Sequence, residues 1–359
     1  MFLAIRDIRF AKGRFALMAG VVALITLLLV MLSGLTAGLG TQSTSAIGAL
    51  PAQQIAFGAP AGGEPKASYT ESEVSTAQVG SWREQPGVAS AQPLGISQTR
   101  FQSLDGSGGA SGTANATVFG GSTSPTPVSD GAVVIGKTLA KDLSLTVGSR
   151  VRMGAVDLTV SAVVEDQWYS HTGVVWTTLA TWQSVAHASP GTATVIVIKL
   201  DAGSSVNLEA ANAGAGTVST DPVGSFQALA SYKSENGSLL LMQAFLYGIS
   251  ALVIVAFLTV WTVQRTRDIA VLKALGASSG YVLRDALAQA AIVLLAGALV
   301  GGLVGLAGGL FAAQAAPFLV TPLTTLVPVA GIILLGLAGA VLAVRKVTTI
   351  DPLLALGGN

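Results

Sequence analysis

Three side chains in one stretch could act together on a ligand: Tyr232, Glu235 and Met242. On a helix turning about 100° per residue they share an arc of roughly 80°. A phenol, a carboxylate and a thioether are donors that iron accepts. Haem iron takes Tyr or Met as axial ligand, and ferric iron favours hard oxygen donors. The chain has no cysteine and only two histidines, His171 and His187. Disulfide frameworks and thiolate metal sites are therefore excluded, and two histidines are too few for a His-rich metal site. Lys233 could pair Glu235 or meet a carboxylate of the ligand. Each residue also has an ordinary explanation. Tyr232 fits an interfacial aromatic belt, Glu235 a last solvated position before the membrane, and Met242 plain helix packing. Residue types alone leave both readings open.

A second stretch, Trp168-Tyr169-Ser170-His171-Thr172-Gly173-Val174-Val175-Trp176, reads as a turn between two strands with aromatics on a core. Alternatively Tyr169 or His171 faces a ligand path or the membrane surface. No Ser, His and Asp spacing forms a hydrolytic triad. No catalytic residue is assigned, and the chain is expected not to be an enzyme.

A third set suits docking. Ile269, Leu272 and Leu275 fall at i, i+3 and i+6, one apolar ridge rimmed by Arg267, Asp268 and Lys273, and Gly276 is placed to end the helix. Such a ridge should bind lipid or a soluble partner; the spacing does not choose. Residues 1–14, with Ile5 and Ile8 one turn apart among Arg6, Arg9 and Lys12, fit an amphipathic helix on a membrane surface.

The elements that hold these residues follow from charge. Only 10% of the chain is charged and 51% is hydrophobic, against about 25% charged in ordinary soluble domains. Uncharged tracts run from Phe15 to Gly63, Asn236 to Gln264 and Ala286 to Val344. A helical span needs roughly 20 apolar residues. Pro317, Pro322 and Pro328 divide the last tract. This predicts a membrane α-helical bundle with four transmembrane helices, at 15–39, 236–264, 286–315 and 326–344. A large α+β extracytoplasmic domain, 40–235, is inserted between helices 1 and 2. Residues 265–285 form a connection and 345–359 a tail. A cleaved signal peptide is the weaker reading of the first tract, because its apolar part is long and Ser33–Leu39 lacks a clear small-x-small cleavage site followed by a soluble start.

Ten Lys and Arg residues flank the spans, all on one side, and the other nine lie in the inserted segment with 14 acids. The positive-inside rule then puts both termini in the cytoplasm and the inserted domain outside, in a cell membrane. The net charge of +1 gives no support to nucleic-acid binding.

Within the inserted segment, 41–63 and 106–126 are rich in small and polar residues and read as loops. Strands are expected at 132–135, 150–153, 158–164, 174–177 and 192–200, and helices at 137–143, 179–187 and 206–213. In the third span Gly297, Gly301, Gly305 and Gly309 are spaced four apart, which permits close helix contact within a bundle or at a dimer seam. The string GxxxxGK[ST] occurs once, at Gly131–Thr138, inside the segment expected outside the cytoplasm where ATP is not supplied, so an ATPase acting with this chain would be a separate polypeptide.

One helix, a large outer domain, three helices, and the sequence Arg265-x-Arg267-Asp268-Ile-Ala-Val-Leu-Lys273-Ala-Leu-Gly276-Ala-Ser278 together resemble the MacB/FtsX-type ABC transporter permeases. The start (Ala4-Ile-Arg-Asp-Ile-Arg, Lys12-Gly-Arg14) and the tail (Arg345-Lys-Val-Thr-Thr-Ile-Asp351-Pro352) are similar too, so the resemblance covers the whole chain. Many members carry Glu where this chain has Asp268. Within the family, Trp168–Trp176 and Ser231–Phe245 resemble the hemin-exporting permeases.

The resemblance implies a homodimer carrying two copies of a cytosolic ATPase, which binds the ATP. It assigns Arg267–Gly276 as the coupling helix. It implies hemin entering sideways from the lipid, with no permanently bound cofactor, and Tyr232, Glu235, Met242 and Tyr169 as its contacts. The same architecture also serves export of another amphiphile (peptide, glycolipid or drug), or mechanical regulation of an extracytoplasmic hydrolase.

Overall fold

The computed structural model describes residues 12–60, 63–264, 271 and 275–348. It divides into two compact units, Gly40–Gly237 and a membrane unit of Met1–Leu39 with Ser238–Asn359.

The elements in chain order begin with α1 (Lys12–Gly48), β1 (Gln54–Phe57), β2 (Val74–Ser75), α2 (Thr76–Arg83), β3 (Val88–Leu104) and β4 (Ala110–Gly120). Then come β5 (Ala132–Gly136), α3 (Lys137–Asp142), β6 (Arg150–Met153), β7 (Val156–Val164), β8 (Trp168–Tyr169), β9 (Thr172–Thr177) and α4 (Leu179–Ala186). The chain continues through β10 (Thr192–Ala193), β11 (Val195–Leu200), α5 (Leu208–Ala215) and β12 (Val218–Thr220) to three long helices, α6 (Ala230–Gln264), α7 (Ser279–Ala312) and α8 (Pro322–Thr348).

The four long helices are each apolar enough to cross a membrane, and the α+β unit lies between the first and the second. The helices outrun the apolar tracts. The first continues through Thr41–Gly48 and the second begins at Ala230. Pro322 opens α8 and Pro328 lies inside it. A proline at the first helical position forfeits no hydrogen bond.

In the α+β unit one long strand organises two sheets. The first half of β3 pairs with β11, Leu94 opposite Val195, and β11 pairs in turn with β1 and β1 with β12. Both faces of this sheet are covered. Ala56, Ile196 and Ile198 pack on Trp82 and Val79 of α2 and Ala211 of α5, while Ile55, Phe57, Val195 and Val197 face a core with Ile47 and Leu50. That double burial explains why β11 reads as a continuous apolar run. A Ser75–Gln78 capping box fixes the start of α2.

The second half of β3 pairs with β4 on one side and with β6 on the other. The path β4–β9–β5–β7–β6 returns to β3, so six strands close on themselves around Phe101, Val118, Ile135, Met153 and Val160. Closure removes the exposed edges an open sheet would leave.

The loop readings of 41–63 and 106–126 are corrected here. Thr41–Gly48 is helical, Gln54–Phe57 is a strand, and Ala110–Gly120 is an 11-residue strand. Its small residues reflect what covers it: a Cβ on Gly120 would stand 2.1 Å from Trp182 Cβ.

In the membrane unit the glycine stripe of α7 faces α1. A Cβ on Gly297 would lie 2.7 Å from Ala19 O, and one on Gly301 2.2 Å from Ala23 O. Gly305 lies under Val30, and Gly309 under Phe318. The stripe is thus used inside the bundle, bringing two backbones together. Gln243 Nε2 donates to Thr36 Oγ1 (2.9 Å), a polar tie between α6 and α1.

Candidate functional site

A dense polar cluster lies at the β8–β9 hairpin. Tyr169 pairs with Thr172, leaving Ser170 and His171 as a two-residue turn. Both have positive φ, 47° and 64°. That is the geometry of a primed turn, usually filled by Asn and Gly, and it costs non-glycine residues roughly 1 kcal/mol each. Several contacts hold it. The Ser170 N–H donates to Ser43 O (3.0 Å) and the His171 N–H to Gln42 O (3.1 Å), both on the last turns of α1. Ser45 Oγ accepts from the Trp168 N–H at 2.9 Å. Ser170 Oγ meets Ser231 Oγ, on the first turn of α6, at 3.0 Å.

His171 Nε2 lies 2.8 Å from Glu235 Oε2 and 3.1 Å from Ser43 Oγ. An ionised carboxylate only accepts, so Nε2 carries the proton it donates to Glu235. One imidazole therefore ties residues 43 and 235, from the ends of two long helices, to one turn. Glu235 is paired by His171 and not by Lys233, which the sequence offered. The Nε2 of His171 is thus engaged by Glu235.

The other candidate residues separate. Tyr232 is half-buried, its ring edge-to-face with Phe226 at 5.8 Å, and its hydroxyl makes no hydrogen bond among the described residues. Tyr169 is core: it is 6% exposed and packs edge-on against Tyr69 and Phe119. Burial pushes its phenol well above the ordinary tyrosine range, so a phenolate there is disfavoured. Met242 belongs to the membrane unit, on the exposed apolar side of α6 with Phe245, Ile249 and Leu252.

Beside the turn a cleft of about 360 Å³ is lined by Tyr69, Ser97, Gln98, Tyr169, Ser170 and Ser231, among others. Ser97 Oγ is buried there without a hydrogen-bond partner among the described residues. Tyr69 is different, because its hydroxyl meets Ser225 Oγ at 2.8 Å. Among the described residues no group of three His, Cys, Asp or Glu side chains could hold a bare metal ion.

Of the docking ridge, Arg267, Asp268, Ile269, Leu272 and Lys273 lie outside the described residues, as do residues 1–11 and 349–359. Leu275 is 81% exposed, and Gly276 ends its turn at φ 97°, a conformation that suits glycine. Ser278 then caps α7 by accepting from the Tyr281 N–H.

Sequence reasoning did not find Ser43 or the Glu235–His171 pair. The partners are far apart in the chain, and only the helical end of α1 brings Ser43 to them.

Comparison with known proteins places these features in a family. Residues 15–215 match the MacB-like periplasmic core domain, and residues 240–352 match the FtsX-like permease C-terminal family. The chain belongs to the MacB/FtsX-type ABC transporter permeases, multi-pass membrane proteins, here with four spans. A Staphylococcus epidermidis protein carrying the name hemin transport system permease protein HrtB is 28% identical over 65% of this chain and 65% of its own length. The alignment thus spans just under two thirds of that relative. A Staphylococcus haemolyticus protein of the same name is 33% identical over 36% of this chain and 37% of its own. An uncharacterized ABC transporter permease of Mycobacterium tuberculosis is 25% identical over 100% of this chain and 99% of its own.

Proposed function

We propose that this chain is the permease subunit of an exporter that removes hemin from the bacterial cell membrane. It works as a homodimer with two copies of a separate cytosolic ATPase, and both termini lie in the cytoplasm. The observation that carries the hemin reading is Tyr232, a half-buried phenol whose hydroxyl makes no hydrogen bond among the described residues, one helical turn from Glu235. The HrtB name on relatives 28% identical to this chain supports it. Phenol and carboxylate are hard donors suited to ferric iron.

Hemin is a flat apolar ring with two carboxylates, so it partitions into lipid and arrives laterally. The second span is the least covered of the four, with 11% of its apolar window buried against 33 to 44% in the others. Met242 is on that bare side and is the third candidate contact. ATP binding on the partner subunit biases one helix arrangement, and affinity for the substrate follows through linkage.

The test is hemin titration of the purified chain. We expect a shifted Soret band that weakens in Tyr232→Ala and Glu235→Ala, with Met242→Leu reporting on the third contact. With its ATPase, hemin should stimulate ATP turnover. An unchanged spectrum across the variants would remove hemin and leave another amphiphile as cargo. Absent stimulation together with a hydrolase bound to the α+β unit would indicate a mechanical regulator.

Coupling has its own readout. A buried anchor residue at an interface is worth about 2 kcal/mol or more. Leu275→Asp, alone or with Leu272→Asp, should weaken ATPase assembly at least roughly thirtyfold while leaving the Soret shift intact. Loss of both would make the ridge a folding element instead.

A further inference from the structure

A cleft of about 250 Å³ opens between the start of α1 and the end of α6, lined by Arg14, Leu17, Phe257, Val260, Trp261 and Gln264. All six belong to the membrane unit. We infer that this cleft is a binding site for an anionic phospholipid, its phosphate on Arg14 and an acyl chain along Leu17, Phe257 and Val260.

Charge complementarity selects this occupant. Arg14 Nη1 donates to Gln264 Oε1 at 3.0 Å, which fixes the guanidinium at one end of the cleft. A guanidinium has five N–H donors, and among the described residues no carboxylate pairs with Arg14. Among the described residues no acid lines the cleft, and exposed Lys12 lies two residues away. The remaining walls are apolar: Leu17 and Val260 are exposed, and Trp261 is held edge-to-face against Phe15 at 4.7 Å. In a span that crosses a bilayer, an arginine where the apolar run begins lies at head-group depth. Its planar fork matches a phosphate in bidentate fashion, and basic pockets between spans hold anionic head groups. The inference is independent of the hemin reading.

The sequence supplies the probe. Of five tryptophans, Trp82, Trp168, Trp176 and Trp182 lie in the α+β unit and Trp261 alone lies in the membrane unit. The full chain is reconstituted into phosphatidylcholine vesicles containing brominated phosphatidylglycerol or brominated phosphatidylcholine. Bromine quenches tryptophan on contact, and Trp261→Phe identifies the responding component. We expect half-quenching at a mole fraction of the anionic lipid roughly fivefold lower than of the zwitterionic one.

Arg14→Gln should abolish that preference, and Arg14→Lys should keep part of it as a point charge. Mass spectrometry of the delipidated wild-type chain should show phosphatidylglycerol retained over phosphatidylcholine, which serves if Arg14→Gln does not accumulate. Equal quenching by both lipids, equal retention, or a preference that survives Arg14→Gln would overturn the proposal and leave ordinary annular lipid.

Discussion

Gly301→Leu is expected to abolish accumulation of folded protein, and Gly301→Ala to lower stability by roughly 1–3 kcal/mol, the usual cost of forcing extra carbon into a packed contact. A Cβ here would come 2.2 Å from Ala23 O, a backbone atom with no side chain to swing aside. The helices would have to separate along a stripe where Gly297 and Gly305 also meet α1, an added Cβ falling 2.7 Å from Ala19 O and 3.0 Å from Val30 Cβ. Association inside a membrane rests on such van der Waals contact, because burial from lipid adds little. Gly248→Ala is the control. It lies on α6, where an added methyl would meet nothing within 4 Å, so it should be neutral or slightly stabilising through helix propensity. Thermal midpoints of the detergent-solubilised chain, read by size-exclusion chromatography, separate the three variants. Because α1 fills this stripe, a second copy of the chain would have to pair through another face. The bare side of α6, with Phe245 and Leu252, is one such exposed apolar surface.

Why the spans were legible and their ends were not follows from what hydropathy measures. Lipid-embedded helix must be apolar, so long uncharged tracts announce themselves. Thr41–Gly48 is helix packed on protein, and there Ser43 and Thr44 can be buried because their hydroxyls find partners. To a hydropathy reading that stretch is a polar loop. The strand β3 stayed hidden for a related reason. Its inward residues Leu94 and Ile96 share one phase of the alternation, while Phe101 and Ser103 hold the other, because the strand passes from one sheet to the second. A two-residue period cannot be counted across that change.

At the site, Tyr232 and Glu235 were legible because both ride one helix. His171 was noticed, yet its partner was not, since a pairing between residues 171 and 235 leaves no periodicity. The turn's positive φ values are equally invisible, because Ser and His do not advertise a primed turn as Asn-Gly does.

Trp182→Ala should be the most damaging single change in the α+β unit, costing about 3–5 kcal/mol. The indole is 5% exposed and stands over two glycines: a Cβ on Gly95 would fall 2.1 Å from its ring, and one on Gly120 2.1 Å from its own Cβ. Removing it leaves a cavity walled by backbone, which collapses poorly. Its Nε1 has no hydrogen-bond partner among the described residues, so Trp182→Phe should forfeit packing but no bond and cost less. Trp82 offers the contrast, because its Nε1 donates to Thr217 Oγ1 at 3.0 Å and Trp82→Phe loses that bond as well.

Trp182→Ala combined with Gly95→Ala should cost less than the sum of the two singles, because the methyl then enters vacated space. Hydrogen exchange on the full chain shows how far the damage spreads. Amides of β3, β4 and β9 should exchange faster in Trp182→Ala, since α4 no longer seals the closed sheet. The amides of Ser170 and His171 should stay protected, because they donate to carbonyls of α1 and not to that sheet. If they lose protection together with β9, the turn that holds Glu235 belongs to the same cooperative unit as the barrel, and a change beneath Trp182 would reach the candidate hemin contacts.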